Sequence, residues 1–294
     1  MTIARDFDYV RPRSVADAVG ALARPGARLL AGGTDVVPWL RDGLIAPDLL
    51  VDIKAIPDLA HISVDDGRLE IGALATFSDL IDSALVGSLA PMLIEMASHV
   101  ASGGVRNRAT LVGNLCSAVP SLDAGPALMV FDTWLLVTGP EGDRRISIDD
   151  WFVGPRCTRI ASGEIVTGAS LALPSTEHAG AFLKLSRYSG EDLAQANLAI
   201  RVSADLEYRL AFGAVAATPV RARGVEALLD GHELDESLVQ AACDLVVDEI
   251  APITDIRATA SYRTHMCRVM LRRGLWAATQ RLAGAGPPYP TDLI

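Results

Sequence analysis

The chain has 294 residues, half of them apolar, and a formal net charge of −10 at pH 7. Charge or glycine interrupts its apolar runs well short of the roughly 20 residues that a membrane span needs, and Lys54 and Lys184 are the only lysines among its 26 basic residues. With no basic cluster and no apolar signal core at the N-terminus, the sequence argues against a membrane span and a nucleic-acid partner and favours a cytoplasmic protein.

The four cysteines, Cys116, Cys157, Cys243 and Cys267, are widely spaced, and no Cys-x-x-Cys pair occurs. In a reducing cytoplasm they are expected to be free thiols. This spacing argues against an iron–sulfur cluster within the chain, because such clusters need several closely placed thiolates. His265 and Cys267 are interpreted as helix-packing or surface residues rather than metal ligands.

Alternating short strands and helices are predicted for the N-terminal stretch. Ser14 is expected to cap a helix that ends at Leu22 and whose apolar residues recur on one face. The elements predicted next are a strand at 28–31, a short helix capped by Thr34 or Asp35, and a strand at 49–53.

From His61 the sequence alternates around Asp66-Gly67, which is typical of a hairpin. Two helices are predicted next, at about 78–86 and 88–100. A glycine-punctuated stretch then leads to a helix at about 123–131.

The segment 174–180 is the best candidate for a linker. Three antiparallel strands and then three helices are predicted beyond it, which indicates a separate α+β domain. The strands are expected at 181–187, 196–206 and 209–216, and the helices at about 221–229, 235–249 and 259–282. The Gly-Ala-Gly-Pro-Pro tail is expected to fray.

The first of two glycine loops, Ala31-Gly32-Gly33-Thr34-Asp35, lies where a predicted strand meets a predicted helix. Paired glycines let a backbone approach a ligand closely and reach positive φ, and free N–H groups at a helix start attract anions. Such a loop can bind a pyrophosphate without a lysine. Taken alone, however, it is more simply an ordinary strand–helix turn.

The second loop, Thr110-Leu-Val-Gly113-Asn114, offers a hydroxyl, a bare backbone and an amide. Asp123 follows just before an apolar helix, either as its N-cap or as an acceptor for ribose or ribityl hydroxyls. The sequence has neither a Gly-x-Gly-x-x-Gly after a strand nor a Gly-x-x-x-x-Gly-Lys-[Ser/Thr], so a Rossmann site and a P-loop are not supported.

The two loops, together with Pro120-Ser-Leu-Asp123-Ala-Gly-Pro126-Ala-Leu, resemble the FAD-binding subunit of the xanthine dehydrogenase and carbon monoxide dehydrogenase family. Later blocks are similar as well and follow in the family's order. These blocks lie at 182–187, 194–197, 213–222 and 250–263. Ordered blocks over most of the chain are far more specific than one Gly-Gly loop.

The resemblance implies an α+β fold with a flavin-binding domain of the vanillyl-alcohol oxidase (PCMH) type. This FAD-binding domain is expected at 1–175, with two subdomains at about 1–56 and 57–175 that grip FAD. A C-terminal α+β domain, similar to that of CO dehydrogenase flavoproteins, is expected at 176–286, with an antiparallel sheet and helices.

The resemblance also implies the residues that bind FAD. The two loops would wrap the pyrophosphate and ribityl, Asp123 would take a hydroxyl, and Lys184 would face the isoalloxazine, where a cation stabilises the reduced ring. Val100 would lie near the adenine or flavin, and Ile165 and Val166 would line the flavin; a surface position is the alternative for Lys184. The full expected set is Leu29, Leu30, Ala31, Gly32, Gly33, Thr34, Asp35, Val36, Val100, Thr110, Leu111, Val112, Gly113, Asn114, Asp123, Ile165, Val166 and Lys184.

The chain departs from the family pattern at the second loop. Val112 replaces a glycine of the usual Gly-Thr-Ile-Gly-Gly-Asn, and a β-branched residue is poorly tolerated at positive φ. Either the backbone keeps a negative φ there, or FAD binding is weakened. Nearby, Ser102-Gly-Gly-Val differs from the usual Ser-Pro-Gln-Ile, and Arg108 is either a salt-bridge partner or a flavin contact.

The implied role is that of an oxidoreductase subunit without a catalytic side chain of its own. It would pass electrons from the [2Fe-2S] clusters of a small iron–sulfur subunit through FAD to an external acceptor. A large molybdopterin subunit would hydroxylate the substrate, and a dimer of such heterotrimers is expected. Two alternatives stay open: a self-contained flavin oxidase of the vanillyl-alcohol type, and an assembly subunit whose FAD site has decayed.

Overall fold

The computed structural model describes residues 5–188 and 192–294, so the first four residues of the predicted 1–175 domain lie outside the described part.

A small parallel sheet begins the fold. The strands are β1 (Asp8–Val10), β2 (Ala27–Leu30) and β3 (Leu49–Asp52), in the order β1-β3-β2, and the helices are α1 (Val15–Leu22) and α2 (Val36–Arg41). The predicted cap is confirmed, because the Ser14 side chain accepts a hydrogen bond from the Asp17 N–H.

An antiparallel five-stranded sheet forms the second unit. Its order is β4 (Ile62–Asp65), β5 (Arg68–Gly72), β10 (Ile165–Ala172), β6 (Trp134–Gly139), β7 (Gly142–Ser147). The predicted hairpin is confirmed between β4 and β5, where Asp66 and Gly67 have φ of 45° and 71°. A two-stranded ribbon, β8 (Phe152–Gly154) and β9 (Cys157–Thr158), lies apart from this sheet.

The helices of the second unit differ from the prediction between residues 78 and 100. Three helices replace the two predicted ones, because Ser83 caps a new helix directly after Asp82 and Pro91 begins another. Proline favours the first turn of a helix and breaks an interior one. The helices are α3 (Phe77–Asp82), α4 (Ala84–Leu89), α5 (Pro91–Ser98), α6 (Gly103–Arg106), α7 (Leu111–Ser117), α8 (Ala124–Met129) and α9 (Ile148–Trp151).

The C-terminal part contains the predicted antiparallel meander, followed by helices. The strands are β11 (His178–Leu185), β12 (Ala196–Ser203), β13 (Tyr208–Gly213) and β14 (Val220–Arg221), and the helices are α10 (Arg223–Leu229), α11 (Glu236–Leu245) and α12 (Ala260–Leu282). Helix α12 packs along β11 and β12. Gly274 permits this approach, because a Cβ there would lie 2.7 Å from Ile200 Cδ1 and 2.9 Å from Leu183 Cδ1.

The sheet of the C-terminal part is covered on both faces. Every residue of β12 is buried. Leu198 and Ile200 pack in the C-terminal core with α12, whereas Ala199 and Phe182 belong to the core of the second unit. The junction between the two parts is therefore itself core, and α5 and α8 are the helices that fill it from the N-terminal side.

The C-terminal tail is ordered, so the prediction of a frayed end is wrong. Tyr289 Oη donates to the Gly180 carbonyl at 2.6 Å, and the Thr291 N–H donates to Glu95 Oε1 at 3.0 Å. Arg281 of α12 forms a buried ion pair with Glu95 of α5 at 2.7 Å. The tail is held because it closes over this ion pair, a long-range contact that local composition does not reveal.

No helix in the described ranges combines the length and the apolar character that crossing a membrane requires.

Removing one partner of the buried pair should destabilise the whole protein. In an Arg281→Met variant, the Glu95 carboxylate stays buried without its cation, and we expect a loss of about 3–5 kcal/mol in the free energy of unfolding. Urea denaturation followed by circular dichroism measures it. Arg223→Met is the matched control, because Arg223 pairs with Asp149 at the surface, where ion pairs contribute little. Equal losses in the two variants would contradict the assignment.

Candidate functional site

The first glycine loop lies, as predicted, between β2 and α2. Gly33 has a φ of 81°, in the left-handed region that favours glycine. Within the described part of the chain, the backbone N–H groups of residues 32–36 have no hydrogen-bond acceptor. Asp35 occupies the N-cap position, but its side chain does not cap the helix. A run of free N–H groups at such a bend forms a concave site for an anion.

The second loop turns directly into α7. Thr110 is the N-cap, and its Oγ1 accepts a hydrogen bond from the Gly113 N–H at 3.0 Å. A Cβ on Gly113 would lie 2.6 Å from that oxygen, so the Thr110 side chain would have to shift to admit a larger residue there. Val112 is a helical residue with a buried side chain, outside the residues of positive φ. The backbone conformation at this position is therefore compatible with a valine.

The two loops lie against each other. Gly32 faces the Arg108 carbonyl so closely that an added Cβ would overlap its oxygen, and would lie 3.2 Å from Ala109 Cα. Three residues after Gly32, the Asp35 carboxylate accepts a hydrogen bond from Ser117 Oγ on α7. Contacts at both ends thus hold the first loop alongside α7.

Lys54 supports the first loop from behind. Its Nζ donates to the Ala31 carbonyl at 3.0 Å and pairs with Asp52 at 2.7 Å. Burial opposes ionisation of Asp52, but hydrogen bonds from Lys54 and Tyr9 outweigh it and hold the pKa of this carboxyl below its usual value. Asp52 is therefore a carboxylate at neutral pH, and it keeps the ammonium in place.

Asp123 and Lys184 form a buried ion pair between the two parts of the chain. Lys184 Nζ lies 2.7 Å from Asp123 Oδ2 and 2.9 Å from the His99 carbonyl oxygen. Asn197 Nδ2 donates to the other carboxylate oxygen of Asp123 at 2.8 Å. Asn114 Oδ1 instead caps α8, by accepting the Ala124 N–H at 3.2 Å. Asp123 stands at the N-cap position without a capping hydrogen bond, and Lys184 is not a surface lysine.

The other expected cofactor residues lie in or beside the core. Ile165 and Val166 of β10 are 0% and 4% exposed, so both residues are enclosed in the core, where β10 pairs with β6. Val100 is also buried, and its carbonyl oxygen accepts a hydrogen bond from Arg106 at 2.9 Å. Arg108 forms no ion pair with any described residue, so the salt-bridge interpretation of this residue is not supported.

Cys116 and Ser117 join the site although the sequence analysis ended the second loop at Asn114. Burial raises the pKa of the Cys116 thiol to about 12, yet its side chain is exposed. Cys116 therefore lies on the face of α7 that is open to solvent. Helical spacing was the available signal, because Gly113, Cys116 and Ser117 recur at three- and four-residue intervals on one face of α7.

The groups beside the two loops are suited to binding an anion. Free backbone N–H groups and a hydroxyl from Thr34 lie at the first loop, and a wall formed by α7 lies beside them. Among residues 5–188 and 192–294, no group of His, Cys, Asp and Glu side chains is arranged to hold a metal ion. Such a cleft suits an extended ligand that carries phosphates.

Comparisons with known proteins agree with this chemistry. The model of the FAD binding domain in molybdopterin dehydrogenase matches residues 5–175, and that of the CO dehydrogenase flavoprotein C-terminal domain matches residues 181–278. The carbon monoxide dehydrogenase medium chain of Afipia carboxidovorans is 34% identical over 95% of this chain and 99% of its own length. The xanthine dehydrogenase FAD-binding subunit of Escherichia coli O157:H7 is 31% identical over 96% and 98%.

Solved structures show the same relationship. Carbon monoxide dehydrogenase from Hydrogenophaga pseudoflava superposes with a TM-score of 0.91 at 33% identity, covering 96% of this chain and 99% of that one. Fold and site together define a flavoprotein subunit of an oxidoreductase. The chain belongs to the family of FAD-binding medium subunits of molybdopterin dehydrogenases, which includes those of carbon monoxide and xanthine dehydrogenases.

The residues present fit FAD. The free N–H groups of residues 32–36 supply neutral donors for a diphosphate. Cys116 leaves one face of α7 open, and the Asp35–Ser117 hydrogen bond places this helix beside the first loop, where an extended cofactor can lie.

The apposition of the loops should be testable through Gly32. A Gly32→Ala change forces the methyl group into the Arg108 carbonyl, so the loops must separate, and we expect at least a tenfold loss of FAD affinity in a flavin fluorescence titration. Gly20→Ala is the matched control, since nothing lies within 4 Å of a Cβ at that helical position. Unchanged affinity in the Gly32 variant would contradict the placement of the first loop.

Cys116 should report on the cofactor through its reactivity. Because burial raises the pKa of its thiol to about 12, it stays protonated at pH 8, and only the thiolate is the nucleophile. We expect iodoacetamide to modify Cys116 far more slowly in the folded chain than in urea, and added FAD to slow it further. Mass spectrometry of the peptides measures both rates. Equal modification with and without FAD would place Cys116 outside the cofactor cleft.

Proposed function

We propose that this chain is the electron-relay subunit of a molybdenum hydroxylase complex. It receives electrons from the [2Fe-2S] clusters of a small partner subunit and delivers them, through FAD, to an external acceptor. A large molybdopterin subunit performs the hydroxylation, and two such heterotrimers associate in the cytoplasm. The observation that carries the proposal is the run of free N–H groups at residues 32–36, which the contact between Gly32 and the Arg108 carbonyl holds beside α7.

In this proposal the cofactor occupies the cleft between the two loops. The first loop, from Leu29 to Val36, binds the pyrophosphate through its free N–H groups, and the second, from Thr110 to Asn114, binds the ribityl chain. FAD supplies a group that takes up electrons singly and releases them in pairs. The side chains of the chain bind and orient it and take no part in bond making.

The Asp123–Lys184 pair is assigned to the flavin end of the cleft. Two hydrogen bonds hold the Lys184 ammonium in one position. Lys184 and Asp123 are both buried, so little water surrounds the pair. A fixed cation in a dry environment favours an anionic ring over a neutral one, because electrostatic interactions strengthen as the dielectric falls.

The names of the relatives support a multi-subunit assembly. Both carbon monoxide dehydrogenase relatives are named medium chains, and a solved relative is described as a Cu,Mo-CO dehydrogenase. The Glyceraldehyde dehydrogenase medium chain of Sulfolobus acidocaldarius, 28% identical, shows that similar chains accompany different substrates. We therefore assign substrate choice to the large subunit.

The native complex provides the test. We expect an affinity-tagged chain, purified from its own host, to bring down iron, molybdenum and flavin together, as measured by elemental analysis and visible absorption. The tagged Gly32→Ala variant is the control, and it should retain both metals while losing flavin. Flavin with neither metal, combined with bleaching of the isolated chain by an alcohol substrate, would establish a self-contained oxidase instead.

A further inference from the structure

The anionic diphosphate of FAD meets a cleft in which both lysines already have partners. Lys54 is bonded to Asp52 and to the Ala31 carbonyl, and Lys184 to Asp123 and the His99 carbonyl. The first loop itself offers only neutral N–H donors, and Asp35 adds a negative charge beside them. Since both lysines are paired, a cation that adds to these neutral donors would be an arginine.

Arg156 lies at the right place. It occupies the turn between β8 and β9 in the second unit, and its guanidinium carbon lies 5.4 Å from the centre of the Trp39 ring. Trp39 belongs to α2, the helix that begins where the first loop ends. Arg156 is exposed, and it forms no ion pair with any described residue. Its charge is thus available and held above the first loop's own helix.

The backbone of Arg156 is fixed to the second loop's helix. Its N–H donates to the Ala118 carbonyl at 2.7 Å, and Ala118 is the C-cap of α7. Both residues are in the left-handed region, with φ of 56° and 45°, which non-glycine residues rarely occupy. The turn therefore spans the cleft: its backbone is bound to α7 and its side chain rests on α2.

We propose that Arg156, stacked on Trp39, binds the FAD diphosphate and closes the cleft between α2 and α7. This assignment rests on the proposed function. A guanidinium is permanently charged, and its planar fork matches two phosphate oxygens. The guanidinium carbon lies over the Trp39 ring at 5.4 Å, and a cation–π contact of this kind leaves the N–H groups free for phosphate oxygens.

Arg108 is the competing cation. It too is exposed and forms no ion pair with a described residue, and its carbonyl touches Gly32. Arg156 is preferred because an aromatic ring orients its guanidinium, whereas no cation–π contact involves Arg108 within the described ranges. An oriented cation loses less conformational entropy when the ligand binds.

A fluorescence titration of the flavin-free, full-length chain with FAD tests the assignment. We expect Arg156→Met to raise the dissociation constant about tenfold and to weaken its dependence on NaCl concentration, because one fewer screened charge takes part. Arg156→Lys should recover part of both. Arg145→Met is the matched control, since Arg145 lies 4.8 Å from the Trp134 ring in a comparable pair away from the two loops, and it should leave affinity unchanged.

The outcomes separate the assignment from the proposed function. An Arg156→Met variant with the affinity and salt dependence of the unaltered chain would overturn the role of Arg156 alone. So would a loss of affinity with unchanged salt dependence, which would make the residue a structural clasp, or a loss confined to Arg108→Met. Failure of the unaltered chain to bind FAD at all would overturn the proposed function and this assignment with it.

Discussion

The approach of Gly32 to the carbonyl of Arg108 is the contact on which the rest of the site depends. It joins the loop after β2 to the segment between α6 and α7, and it is available only to a residue without a Cβ. Once the two backbones touch there, the end of β2 is fixed relative to the start of α7. Asp35 then meets Ser117 at the other end of α7. Close packing of the two backbones therefore forms the cleft. Because no side chain separates them, the donors of the first loop are backbone N–H groups.

Buried charge fixes how the C-terminal part docks on the N-terminal part. Glu95 pairs with Arg281, and Asp123 with Lys184, each across the junction. Arg201 crosses it as well, by donating to the Val130 carbonyl at 2.8 Å. Buried ion pairs contribute little net stability compared with apolar packing, but a displaced partner is strongly penalised. The pairs therefore determine one arrangement of the two parts, and the apolar faces of β11 and β12 supply the free energy.

Local patterns predicted the elements well where one residue type decides the backbone. Ser14 as a cap, Asp66-Gly67 as a hairpin and the meander after the linker all follow from short-range chemistry. The prediction of two helices between 78 and 100 is wrong because Ser83 caps one additional helix and Pro91 begins another. The tail was misjudged for a different reason, since its order comes from contacts with Glu95, far away in sequence.

The site shows the same limit. The resemblance indicated Asp123 and Lys184 separately as cofactor residues, but not that they bind each other across 61 positions of sequence. No periodicity encodes such a pair, because each partner lies on a different element and the distance between them is set by the fold. Val112 is the converse case. Compared with a glycine pattern it looked like a defect, whereas in the helical backbone of α7 its side chain fills the core.

The only two lysines of the chain make the same kinds of contact. Lys54 and Lys184 both lie beside the cleft, and each donates to a backbone carbonyl and pairs with one carboxylate. Each is therefore electrically neutral with its partner and held in one position. A flexible, unpaired ammonium would add affinity for any phosphate, but it would not distinguish one extended cofactor from another. Neutral N–H groups on a rigid loop select by shape, because they act only on an anion that reaches them at hydrogen-bonding distance. In both cases the lysine therefore serves to hold the backbone in place, through the carbonyl that it binds.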